Sequence, residues 1–220
     1  MAKLIRTFYD NKQLKEIYFV NGNKKEGEYR LYYFNGKLLE LREYDIEVDK
    51  YIEYQNDRLH IICNYINGKK VGEYRSYYDN GKLEIIYNYI DEKIEGEYRS
   101  FYRDGELYSI CNYIDGKREG EYKSYYANGS PYILYNYINN KIEGECKFYY
   151  ENGQLNDTYN YMNNKIEGEY KSYYDSGQLN KICYYINGIK EGEQREYFEN
   201  GQIRDVCNYI NGQVKYEKIC

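Results

Sequence analysis

The sequence predicts an all-β fold, an elongated single-layer antiparallel sheet of stacked β-hairpins, and three observations predict it. A glycine recurs every 24 residues, at Gly72, Gly96, Gly120, Gly144, Gly168 and Gly192. Between consecutive glycines lie two runs rich in tyrosine and β-branched residues, as at 72–78 and 83–90. An Asn-Gly pair or its equivalent separates the two runs. A period of this size marks small supersecondary units stacked in a row, none of which buries an apolar face alone.

Taken in order, the chain 1–220 reads as one array. Residues 1–26 are a partial leading repeat, in which Tyr9-Asp10-Asn11-Lys12 fills the turn slot ahead of Leu14. Residues 27–71 hold two irregular repeats. The first opens with Gly27-Glu28-Tyr29-Arg30 and turns at Asn35-Gly36. The second, around 44–54, lacks Gly-Glu and is three residues short, and Tyr54-Gln55-Asn56-Asp57 restores the frame. Drift or a local bulge accounts for the gap, and a specialised kink or partner site is the sharper reading. Residues 72–215 are six regular repeats. Residues 216–220 are a truncated end, where Tyr216-Glu217 would begin another unit and an edge is left in need of cover or a partner.

Within each regular repeat, Asn-Gly between β-rich runs predicts a two-residue type I′ hairpin, as at Asn80-Gly81, with a looser turn after the second run, as at Asn67-Gly68-Lys69. A two-residue loop at Asn80-Gly81 places Tyr78 opposite Leu83 and Tyr74 opposite Tyr87. One face then carries Tyr74, Ser76, Tyr78, Leu83, Tyr87 and Tyr89, and the other Glu73, Arg75, Tyr77, Ile86, Asn88 and Ile90. Tyr78, Tyr102, Tyr126, Tyr150, Tyr174 and Phe198 form an aromatic row, the candidate partner-binding row. Ile90, Ile114, Ile138, Met162, Ile186 and Ile210 form an aliphatic row on the opposite face. Equivalent positions lie roughly 9.5 Å apart, and about seventeen strands extend about 80 Å as a twisted sheet.

Composition narrows the function. Tyrosine occurs 36 times beside six Phe and no Trp, and Pro131 is the only proline. Tyrosine buries a large ring and favours strands, so the low mean hydropathy does not signal disorder. The formal charge is −5, with both signs mixed in every repeat. That gives neither a basic field for nucleic acid nor a polybasic tail for anionic lipid. The N-terminus MAKLIRTFYD is not a signal peptide, and no run approaches 18 apolar residues. A soluble, intracellular, cytoplasmic protein encoded by an AT-rich genome is expected.

No residue pattern points to catalysis, a metal or a cofactor. Of the six cysteines, Cys63, Cys111, Cys183 and Cys207 share one slot that alternates with Tyr87, Tyr135 and Tyr159. Slot neighbours are farther apart than the roughly 7 Å a disulfide spans. They read, with Cys146, as buried reduced thiols, and Cys220 alone suits intermolecular pairing. His60 has no nucleophile nearby in sequence. The cationic row Arg75, Arg99, Lys123, Lys147, Lys171 and Arg195 is matched two residues earlier by Glu73, Glu97, Glu121, Glu145, Glu169 and Glu193, which predicts repeating cross-strand ion pairs.

The repeated glycines, paired tyrosines and Asn-Gly turns, with Tyr77-Tyr78-Asp79-Asn80-Gly81-Lys82-Leu83 as a clean copy, resemble the MORN repeat (membrane occupation and recognition nexus). The likeness is to the variant with YYxNGxL and a Gly-Lys-xx-Gly turn, found in giant viruses and low-GC bacteria, and it spans nearly the whole chain. It implies hairpins in a row, used chiefly for protein contacts, and no catalytic residue. If the source is a virus, the location becomes the host cytoplasm or the virion. The expected function is therefore a non-enzymatic scaffold that binds protein through a tyrosine-rich face or a sheet edge. The alternatives are a phospholipid-associated protein, a carbohydrate-binding aromatic repeat and an antitoxin-like inhibitor, with end-to-end self-association as a further contact.

Overall fold

Strands alternate with short turns throughout residues 3–22, 24–44 and 48–215, the residues described by the computed structural model, and none of them is helical. No helix among them is long and apolar enough to cross a membrane. The chain divides into two units, Met1–Glu106 and Leu107–Cys220. The first holds β1 (Lys3–Phe8), β2 (Leu14–Asn21), β3 (Lys24–Tyr32), β4 (Leu38–Tyr44), β5 (Asp49–Gln55), β6 (Arg58–Ile66), β7 (Lys69–Tyr77), β8 (Leu83–Ile90) and β9 (Lys93–Phe101). The second holds β10 (Leu107–Ile114), β11 (Lys117–Tyr125), β12 (Pro131–Ile138), β13 (Lys141–Tyr149), β14 (Leu155–Met162), β15 (Lys165–Tyr173), β16 (Leu179–Ile186), β17 (Ile189–Tyr197), β18 (Ile203–Ile210) and β19 (Gln213–Lys215). Within each unit every strand pairs antiparallel with the next in sequence. Among the described residues there are nineteen strands, against the seventeen or so expected.

The two kinds of turn are exchanged relative to expectation. Asn80-Gly81 is not a type I′ pair: Tyr77, not Tyr78, stands opposite Leu83, which leaves five residues in the loop. Tyr78 N–H donates to the Lys82 carbonyl, Gly81 N–H donates to the Tyr78 carbonyl, and only Gly81 of the loop has positive φ, at 82°. That is a type I turn followed by a glycine bulge. The Asn80 Oδ1 accepts from Lys82 N at 3.0 Å and holds the turn. The turn expected to be loose is the tight one. Ile66 pairs with Lys69 and Ile90 with Lys93, so two residues close each hairpin. Both have positive φ: 51° and 78° at Asn67-Gly68, 49° and 63° at Asp91-Glu92, 51° and 65° at Asn139-Asn140. These are the type I′ turns, and Asn, Asp and Gly fill them, Glu92 excepted, because they tolerate the left-handed region best.

The repeat glycine makes a second bulge. Between β6 and β7 the pairing moves from Ile62–Arg75 to Asn64–Val71, so β7 carries two extra residues at Gly72-Glu73. The same shift recurs at Ile110–Lys123 to Asn112–Glu119 and at the corresponding place in the three later repeats. A Cβ on Gly144 would meet no atom within 4 Å, so its φ of +82°, not crowding, demands glycine. The unit that lacks Gly-Glu shows the converse: β4 and β5 pair from Glu40–Glu53 to Tyr44–Asp49 with no shift. At Tyr54–Asp57 the expected two-residue loop is present: Tyr54 pairs with Leu59 and Gln55 with Arg58 around a type I′ turn. Asp45, Ile46 and Glu47 lie outside the described residues, as do Tyr216, Glu217 and Cys220.

Candidate interaction surface

One face of each unit carries the tyrosines. Alternation around the pairs Tyr74–Tyr87 and Ser76–Ile85 puts these four with Tyr89 on it, and Glu73, Arg75, Ile86 and Asn88 on the other. The side chains best buried in the protein lie along the tyrosine face: Tyr29, Tyr137, the thiols Cys63, Cys111, Cys146 and Cys183, and Ser76, Ser109, Ser124 and Ser172. Small residues are thus covered by neighbouring rings, and no second layer of strands or helices is among the described residues.

In the first unit the Tyr74 and Tyr87 rings stack 4.8 Å apart, Tyr98 stacks on Tyr87 at 5.5 Å, and Tyr89 meets Tyr74 edge-on at 6.3 Å. The Tyr87 and Tyr89 hydroxyls lie 3.1 Å apart. Cations cap the rings. Lys25 Nζ is 4.5 Å from the Tyr18 centroid and 4.0 Å from that of Tyr29, Arg42 lies 4.9 Å from Tyr51, and Lys70 Nζ lies 5.4 Å from both Tyr74 and Tyr89. In the second unit Tyr122 stacks on Tyr135 at 4.7 Å, and separately Tyr159 stacks between Phe148 and Tyr170 at 5.6 and 5.5 Å. Arg118 donates from Nε to the Tyr113 hydroxyl at 3.0 Å and from Nη1 to the Tyr137 hydroxyl at 2.8 Å. Farther along, Lys181 and Arg204 both pair with Glu196 and hold its carboxyl below the usual range.

Burial pushes Tyr29 and Tyr65 up to about 12 and raises Tyr51, Tyr87, Tyr135, Tyr159 and Tyr170 as well. It also pushes the Cys146 thiol up to about 12. The face is therefore neutral phenol and thiol across the ordinary pH range, punctuated by cations held against rings.

The candidate row Tyr78, Tyr102, Tyr126, Tyr150, Tyr174 and Phe198 follows the strands, at the start of each five-residue loop. Tyr78, Tyr126, Tyr150 and Tyr174 each donate a hydroxyl hydrogen bond of 2.7 Å to a carbonyl of the next repeat, at Phe101, Tyr149, Tyr173 and Tyr197. Tyr9 does the same to Tyr32 at 2.8 Å. The four are half-buried clasps between hairpins, whereas Phe198 has no hydroxyl and is exposed. The stacked rings are instead Tyr74, Tyr87 and Tyr98 in the first unit, and Tyr122 with Tyr135 and Tyr159 with Tyr170 in the second. Their sequence signal was available: a Lys or Arg two residues beyond the tight turn, at Lys70, Arg118 and Lys190, on the same face as the rings.

The charged rows occupy the opposite face, but their ion pairs run within one strand and not across strands. Glu73–Arg75, Glu121–Lys123, Glu145–Lys147 and Glu169–Lys171 close at 2.5–2.7 Å because residues two apart in a strand share a face. His60 is half-buried in β6 with Nδ1 3.3 Å from the Tyr77 carbonyl. Cys63, Cys111, Cys146, Cys183 and Cys207 are free thiols. No grouping of three or more His, Cys, Asp or Glu among the described residues suits a metal ion.

A family model described as the MORN repeat variant matches the chain seven times, at residues 25–45, 70–91, 94–115, 118–139, 142–163, 166–187 and 190–211. No curated protein matches the sequence. Among solved structures the chain is similar to parts of larger ones. One is TarM, at 12% identity and a TM-score of 0.29, covering 63% of this chain and 20% of that one. Another is the GtfA/B complex bound to UDP and GlcNAc, at 13%, 0.24, 63% and 28%. A third is TcdB2-TccC3-Cdc42, at 12%, 0.24, 98% and 16%. The chain spans less than a third of each, and at these TM-scores the likeness carries no argument about activity.

Proposed function

This chain belongs to the MORN repeat variant family, and on that premise we propose that it is a non-enzymatic, intracellular scaffold that binds a protein partner through its tyrosine face. The observation that carries the reading is the ordered ladder of stacked phenols and ring-bound cations, with no second layer among the described residues above it. Rings already held by stacking and hydroxyl bonds lose little freedom when a partner packs on them, and Tyr and Arg are the side chains that anchor protein interfaces. Support for a non-enzymatic role comes from the nucleophiles themselves: burial disfavours the thiolates of Cys63, Cys111, Cys146 and Cys183. Five free thiols suit a reducing compartment.

The test is affinity capture of tagged protein from its native cells, quantified by mass spectrometry for three forms. These are the wild type, Arg118→Glu on the tyrosine face, and a charge-conserving E121K/K123E exchange on the opposite face. A protein recovered by the wild type and the exchange variant but lost with Arg118→Glu supports the proposal, once circular dichroism shows both variants folded. An identical set of proteins from all three forms, or sedimentation with membranes in place of a protein partner, overturns it.

A further inference from the structure

The face opposite the tyrosines carries a second feature in residues 107–220. Each tight turn there is flanked by a directly opposed pair: Ile114 with Lys117, Ile138 with Lys141, Met162 with Lys165. By alternation these side chains lie on the charged face, at its turn-side rim. Ile114, Ile138 and Met162 are 52%, 50% and 50% exposed, so an aliphatic side chain faces solvent at each of three successive repeats. The pairs follow one another roughly every 9.5 Å, two strands apart.

The lysines of this rim are unpaired. In the first unit the equivalent Lys69 meets Glu92, in the next tight turn, at 3.2 Å. In the second unit the positions equivalent to Glu92 are Asn140, Asn164 and Gly188, and Lys117, Lys141 and Lys165 form no ion pair with a described residue. The Asn140 and Asn164 amide oxygens accept from Arg118 N at 2.6 Å and Ile142 N at 3.0 Å, so the carboxylate has been exchanged for a backbone clasp. The Glu carboxylates two residues beyond these lysines are committed elsewhere. Glu119, Glu143 and Glu167 accept the backbone N–H of Asn139, Asn163 and Asn187 at 2.8, 2.9 and 2.7 Å. Deeper on the same face Lys123, Lys147 and Lys171 are paired.

We propose that this Ile/Lys rim is a docking line for an acidic amphipathic helix of a partner protein. The chemistry is complementary: leucine-type side chains laid along Ile114, Ile138 and Met162, and Asp or Glu beside them meeting Lys117, Lys141 and Lys165. A helix repeats an apolar position every seven residues, about 10.5 Å, close to the spacing of the rim. A narrow ligand fits better than a flat anionic one, since a flat anionic surface laid on this face would also meet the Glu119, Glu143 and Glu167 carboxylates. The proposal stands apart from the tyrosine face, because Lys117 and Arg118 project to opposite sides of β11.

The experiment uses the full chain and a fluorescein-labelled helical peptide of about three heptads, with leucines on one face and glutamates flanking them. Saturable binding that weakens with added salt is expected. The K117E/K141E/K165E variant should lower affinity by roughly tenfold or more, Ile114→Ser with Ile138→Ser should weaken it too, and the E121K/K123E exchange should leave it unchanged. Equal affinity for the triple variant overturns the proposal, as does equal binding of a peptide with lysine in place of glutamate. Association with phosphatidylserine vesicles but not with the peptide also overturns it, in favour of a membrane surface.

Discussion

Lys12 occupies the one five-residue loop that has a side chain where the others have glycine. Its φ is 65°, the region that Gly36, Gly81, Gly105, Gly129, Gly153, Gly177 and Gly201 enter at no steric cost. A left-handed lysine costs about 1 to 2 kcal/mol, part of which is offset by the smaller entropy its unfolded chain loses relative to glycine. Lys12→Gly should therefore stabilise the protein by about 0.5–1 kcal/mol, read as a higher urea midpoint at unchanged slope. A lower midpoint would show that the lysine side chain contributes more than its backbone costs. The buried phenols and thiols set a second residue-level expectation. Tyr29 and Tyr65 are pushed from 10.0 to about 12, and Cys146 from 9.0 to about 12. These groups keep their protons longer in the folded chain than in the unfolded one. Their contribution is thus complete below about pH 9 and is lost as pH rises toward 12. Urea titrations at successive pH values should show stability falling across that window. A flat profile through it would contradict the burial of these side chains.

At the scale of the hairpin, the sequence made existence plain and geometry less so. Tyrosine-rich runs and their alternation located the strands, because period two and turn residues are local properties. The exchange of turn types was hidden because Asn-Gly suits both turns. It supplies two left-handed residues at Asn67-Gly68, and one left-handed glycine after an Asn with its Oδ1 bound at Asn80-Gly81. Only the count of residues between paired positions separates them, and pairing is not a local property. The aromatic row was legible in the same partial way. Its spacing revealed repetition, whereas its hydroxyls bond to backbone 23 residues ahead, a contact no periodicity displays. That bond makes the row separable by mutation. Tyr126→Phe and Tyr150→Phe each remove one hydroxyl bond and should cost about 1 kcal/mol. Replacement of either by Ser also removes a half-buried ring, and should cost about 2–3 kcal/mol. Urea unfolding followed by circular dichroism distinguishes these steps. A neutral Phe variant would remove the clasp from the account of what joins neighbouring hairpins.

For the molecule, the repeats within each unit after Gly72 meet their neighbours through one set of registers, so stability should be a sum of hairpins and the interfaces between successive hairpins. Deleting residues 144–167, one full period, tests this directly. The new junction reads Lys141-Ile142-Glu143-Gly168-Glu169-Tyr170, the same residue types as Lys165-Ile166-Glu167-Gly168-Glu169-Tyr170. Tyr170 takes the place of Cys146 beside Tyr135, a ring pair of the kind already present at Tyr87 and Tyr98. Ser172 takes the place of Phe148 opposite Ile133, as Ser100 stands opposite Ile85. Every junction contact therefore has a native precedent, and the shortened protein should fold with the same circular dichroism per residue. Its urea slope should drop in proportion to the surface removed. Deleting 144–166 keeps almost the same composition but displaces the following strand by one residue. That turns Tyr170 toward the charged face and Lys171 toward the tyrosine face. The second deletion should aggregate or lose its cooperative transition. If both deletions fold equally well, the 24-residue register is not what holds the hairpins together.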